Sequence, residues 1–178
     1  PPPPPPPAPQ AEVKRLPFFI DALAGKDRRV RPIAGTSTVD GSPVIANTGS
    51  ADYAQCSPLV GLKFGVARRF TNDWELAGAV GVAVSLVNDD KKVRESELFA
   101  DVEANKYVSG DAFVGVGISF WDLTRSDTFT PAGMVHFGIP LGHSTHQAYF
   151  VGEGRLFFDH ADDISNNYQF WAGVRVRF

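Results

Sequence analysis

The chain has 178 residues, 43% of them hydrophobic, and a formal charge of −3, a balance of acids and bases that argues against a nucleic-acid binder. Eight of its 14 prolines fall in the first ten positions, leaving roughly 160 residues to fold, a one-domain length. The single cysteine, Cys56, excludes an internal disulfide and a cysteine-rich zinc site, and no apolar run approaches the ~18–20 residues of a membrane helix. What these numbers permit is a soluble domain or a transmembrane barrel.

In chain order, the first element is the tract Pro1–Pro7, Ala8, Pro9. Proline fixes φ and donates no hydrogen bond, so residues 1–15 are expected to form an extended polyproline II linker outside any core. The chain starts without methionine or an apolar leader, which reads as a processed polypeptide. From residue 16 onward helix signals are nearly absent. Segments of about a dozen residues alternate apolar with polar side chains at 17–26, 58–70, 73–87, 93–107, 112–121, 130–141, 146–158 and 167–178. Tight turns at Thr71-Asn72-Asp73, Ser109-Gly110-Asp111 and Gly142-His143-Ser144-Thr145 take turns with a long Gly/Ser-rich loop, 27–57, and polar loops at 88–92, 122–129 and 159–166. Eight strands, with short turns on one rim and mostly longer loops on the other, predict an all-β fold. It is an antiparallel up-and-down transmembrane β-barrel over 16–178, with the proline-rich segment ahead of it.

The alternation decides which kind of barrel. One face of the third strand carries Trp74, Leu76, Gly78, Val80, Val82, Val84 and Leu86, and the other Glu75, Ala77, Ala79, Gly81, Ala83 and Ser85. The fourth opposes Leu98, Ala100, Val102 and Ala104 to Glu95, Glu97, Phe99, Asp101, Glu103 and Asn105. The polar faces are also rich in small residues, as the narrow interior of an eight-stranded barrel requires. A soluble lipocalin-like barrel would have the opposite arrangement, so polar-in, apolar-out is expected. Phe18, Phe70, Trp74, Tyr107 and Phe178 would form one aromatic girdle, and Phe120, Phe129, Phe158, Tyr168 and Phe170 the other.

The last strand, Tyr168-Gln-Phe170-Trp-Ala172-Gly-Val174-Arg-Val176-Arg-Phe178, closes its alternation on a terminal aromatic. Over 17–178 the sequence resembles the small outer-membrane barrels of the outer membrane protein A and X type. That resemblance implies a bacterial outer-membrane location with both termini periplasmic. It also implies an insertion signal at Phe170, Val174, Val176 and Phe178 that is read by the barrel-insertion machinery. The resemblance covers the barrel alone, without the peptidoglycan-binding domain that follows it in outer membrane protein A, so no such cell-wall domain is expected after Phe178.

The expected lumen carries Asp21, Glu75, Glu95, Glu97, Asp101, Glu103 and Glu153 with Lys63, Arg69, Arg155, Arg175 and Arg177. Isolated charges in a narrow interior are costly, so a paired, closed network is expected over an ion-conducting path. Lys26, Arg28, Arg29 and Arg31 cluster where the first strand enters the long loop, suited to phosphates of outer-leaflet glycolipid. His143 and His146 are two ligands, too few for a metal site, and no metal or other cofactor is expected. His143-Ser144 is similar to the His and Ser of eight-stranded outer-membrane lipid deacylases. There, however, one position separates the pair on a lipid-facing strand, whereas here they are adjacent in an expected turn. The function read from these features is a non-enzymatic envelope scaffold or loop-presenting protein, porin-like in shape, with a periplasmic or envelope partner reached through Pro1–Pro9. The alternatives are a small pore or transport channel, an outer-membrane lipid-modifying enzyme and a soluble lipocalin-like binder.

Overall fold

Residues whose bulky apolar side chains recur at every second position can satisfy one apolar and one polar environment at once only as strands. In the computed structural model they do so in β1 (Phe18–Val30), β4 (Ala54–Arg69), β5 (Trp74–Ser85), β6 (Ser96–Tyr107), β7 (Phe113–Trp121), β8 (Thr130–Pro140), β9 (Gln147–Phe157) and β10 (Tyr168–Arg177), with a hairpin of β2 (Thr36–Val39) and β3 (Ser42–Ile45) between the first two. The structure describes residues 17–30, 36–39, 42–45, 54–71, 73–86, 96–108, 111–124, 129–142, 147–158 and 167–178. Of these, 29–30, 36–39, 42–45 and 54–57 are followed by their backbone alone.

Eight strands close into one antiparallel barrel in the order β1-β10-β9-β8-β7-β6-β5-β4. Each strand pairs with its neighbours along the chain, and β1 meets β10 from Phe19↔Arg177 to Arg28↔Tyr168. The fold is therefore all-β and up-and-down, as the spacing of the apolar segments implies, and no helix occurs among the described residues.

Two features differ from the sequence expectation. The segment 27–57 is not simply a loop: β1 runs on to Val30, β4 begins at Ala54, and the register continues through Arg28↔Cys56 and Val30↔Ala54. Strand pairing needs hydrogen bonds and not apolar cover, so the loss of apolar alternation marks the edge of the apolar wall and not the strands' end. Tyr107 is the second correction. It is 6% exposed and faces the lumen, so it does not belong to the outer girdle. Phe18, Phe70, Trp74 and Phe178 are at least 40% exposed on the outside of the same rim.

Four of the inward-pointing rings are accommodated by a glycine on the next strand. Phe19 stands opposite Gly65, Phe99 opposite Gly81, Phe113 opposite Gly138 and Trp171 opposite Gly25. A Cβ at Gly65 or Gly81 would overlap the facing ring. The missing side chain is what lets each ring lie flat across the adjacent strand.

Candidate functional site

The sequence alternation sends one set of side chains into a lumen too narrow for bulk water, where every charge needs a partner. Lys63, from the middle of β4, is the hub. Its Nζ lies 2.5 Å from Glu153, 2.8 Å from Glu103, 3.2 Å from Asp101 and 3.4 Å from Asp21. Arg175 grips Asp21 with Nε and Nη2 at 2.8 and 2.9 Å and reaches Glu103 at 3.2 Å. Arg155 donates through Nη2 to Asp101 and Glu153, both at 2.8 Å. These seven side chains, contributed by β1, β4, β6, β9 and β10, form one continuous ionic cluster at mid-height.

Below it, toward the short-turn rim, Arg177 holds Glu75 with two bonds of 2.8 and 2.6 Å, a fork geometry particular to guanidinium and carboxylate. Glu75 also accepts from Asn105 Nδ2 at 3.3 Å and the Tyr107 hydroxyl at 3.1 Å. His136 bonds Asn105 through Nε2, which is also 3.7 Å from Glu103, joining the two clusters.

Above the ionic cluster lies an aromatic layer. Phe99 and Trp121 stack at 4.6 Å, Trp171 lies 6.3 Å from Trp121, and Phe157 packs edge-on to Trp121 at 6.0 Å. Arg155 couples the layers, its guanidinium 5.0–5.8 Å from the rings of Phe99, Trp121 and Trp171. A polar chain runs alongside: Trp121 Nε1 donates to Ser119 Oγ at 2.8 Å, and Ser119 donates to Asp101 at 2.5 Å.

Of the residues singled out in the sequence, Asp21, Lys63, Asp101, Glu103, Glu153, Arg155 and Arg175 thus meet in one cluster, and Glu75 with Arg177 in the next. Arg69 stands opposite Glu75 at the turn rim, with its guanidinium 4.3 Å over the Tyr107 ring. Glu97 is 5% exposed on the loop side of Asp101. Lys26, Arg28 and Arg29 lie on β1 itself, with Lys26 and Arg28 on its outward face. Glu95, Arg31, His143, His146 and the proline tract lie outside the described residues, as does the Cys56 side chain. Phe170, Val174, Val176 and Phe178 share the outward face of the last strand, where Phe178 stacks 6.2 Å from Phe18. His136 and Tyr149 are further lumen residues, marked by their parity within the strand. Among the described residues no three His, Cys, Asp or Glu side chains are arranged to hold a metal ion.

The outer wall has a different composition. Leu62, Val80, Val116 and Val135 are 58–62% exposed. Among the described residues, the outward faces of the eight strands carry no charge between Lys26 at the loop end and Arg68 and Lys106 at the turn end. No protein-family model and no curated protein matches this chain.

Proposed function

We propose that the protein is an integral barrel of the bacterial outer membrane, of the outer membrane protein A and X type. It would act as a non-enzymatic envelope scaffold that anchors a partner or presents its loops. The observation that carries this reading is the uncharged outer wall around an ionic interior. In water such a wall would be an apolar surface far larger than the few hundred Å² that soluble monomers tolerate. In a bilayer the same wall is fully solvated. The 12 residues of β5, at ~3.3 Å each and tilted by ~40°, rise roughly 30 Å, close to the apolar band of such barrels. The short-turn rim would face the periplasm with both termini. Lys26 and Arg28, with Arg29 and Arg31, would meet glycolipid phosphates of the outer leaflet.

The scaffold reading is preferred to a pore because the ionic cluster and the aromatic layer fill the cross-section in succession. Partner binding is assigned to Pro1–Pro9. The test is migration on a gel in mild detergent before and after boiling, together with flotation on vesicles. A folded, detergent-dependent species that shifts on heating is expected, and a protein soluble without detergent that shows no shift would overturn the proposal. Deleting residues 1–10 is expected to leave that shift intact while removing envelope proteins recovered by pulldown from native membranes. Unchanged recovery would remove the tract from the scaffold role.

A further inference from the structure

Resting on the membrane reading above, we propose that the turn-end rim carries a binding site for one anionic phospholipid, its phosphate held by Arg68 and Lys106 and one acyl chain lying over Gly78. On the outward face of β5, Trp74, Leu76, Gly78 and Val80 follow one another from the rim. Gly78 interrupts this bulky row, and a Cβ there would meet no atom within 4 Å. The gap opens a groove of about 280 Å³ walled by Val66, Leu76 and Val102, with Arg68 at its rim end. Arg68 stands opposite Leu76 from β4, and Lys106 opposite Trp74 from β6, so the two cations flank the head of the groove from either side of β5. Lys106 Nζ lies 5.8 Å from the Trp74 ring, which fixes it at the level of an interfacial aromatic. Neither cation forms an ion pair among the described residues.

A slot one side chain wide fits an unbranched chain and excludes a bulky helix. Two cations at its mouth select a net negative headgroup, since a zwitterionic one would bring its own ammonium beside them. An anionic phospholipid offers both features in one molecule.

The full-length protein is to be inserted into mixed vesicles of dioleoylphosphatidylcholine and dioleoylphosphatidylglycerol, extracted in mild detergent, and its retained lipids counted by native mass spectrometry. Phosphatidylglycerol is expected to be retained in preference by roughly fivefold for each cation, the factor for a basic side chain at an anionic surface. Arg68→Gln with Lys106→Gln should remove one retained phosphatidylglycerol per barrel and leave untouched any held at the opposite rim by Lys26 and Arg28. Gly78→Leu, which fills the groove without touching the lumen, should lower retention of both lipids. Val135→Ala, on β8 across the barrel, should change nothing. Equal retention of the two lipids by inserted wild-type protein overturns the site but not the membrane reading. A dimer lost in Gly78→Leu identifies a second copy as the occupant and also overturns the site. Failure to insert overturns both.

Discussion

Lys63 is 1% exposed and faces four carboxylates, so its role is set by what its removal would leave behind. Lys63→Met would strand buried anions beside each other, and we expect a loss of about 3–5 kcal/mol, read as a lower urea midpoint of unfolding. Adding Glu153→Gln to that variant should recover part of the loss, because one of the stranded charges is gone. The pair of Arg177 and Glu75 offers a second test. Each single substitution to Met leaves its partner's charge buried, so the double variant should be less destabilised than the sum of the two. The residues of this network were legible in the sequence from parity alone: the charged positions share a face with Ser119, Gly81 and Gly117. Their partners were not legible, because Arg177 and Glu75 are 102 positions apart on strands that do not pair, and only the tilt of the closed barrel brings them together. Tyr107 shows how a general rule can override better information. Its parity with Asp101, Glu103 and Asn105 puts it inside, while its place at a strand end suggested a girdle.

Within a single strand, β5 separates two uses of glycine. Gly81 receives the Phe99 ring, and Gly78 faces open space on the other side of the wall. We expect Gly81→Val to destabilise by about 1–3 kcal/mol through overpacking. Gly78→Val should be neutral or stabilising by up to about 1 kcal/mol, since a branched residue suits a strand better than glycine. Urea unfolding of the two variants in detergent micelles checks both; equal effects would contradict the assignment of faces. Strand ends were the least legible feature. Arg28, Arg29 and Gln55 look like loop, yet they pair in register because a strand leaving the belt needs hydrogen bonds and not apolar cover.

For the molecule as a whole, the number of barrel strands and their face assignment followed from eight period-two segments, while the β2–β3 hairpin lies within the expected loop 27–57. The filling of the lumen did not follow from those segments, because it depends on how Trp121, Trp171 and Phe99 stack in three dimensions. That filling has a direct electrical consequence. Wild-type protein in planar bilayers is expected to give no stepwise conductance, and Trp121→Ala with Trp171→Ala should admit water to the loop half while the ionic cluster beneath keeps the path closed. Channels of defined size in the wild type would favour the transport alternative.

The pairing of rings with glycines also bears on how the barrel can be assembled without error. Sliding one strand by two residues preserves every inside and outside assignment, so hydrophobic patterning alone is blind to it. The rings are not blind to it. After such a slide Phe99 would confront Ala79 or Ala83 instead of Gly81, and Phe19 would meet Lys63 or Ala67 instead of Gly65. Phe113 would face His136 or Pro140, and Trp171 would face Leu23 or Asp27. Four of the eight seams thus carry a steric proofreading position, sensitive to the very class of mispairing that the apolar wall would accept.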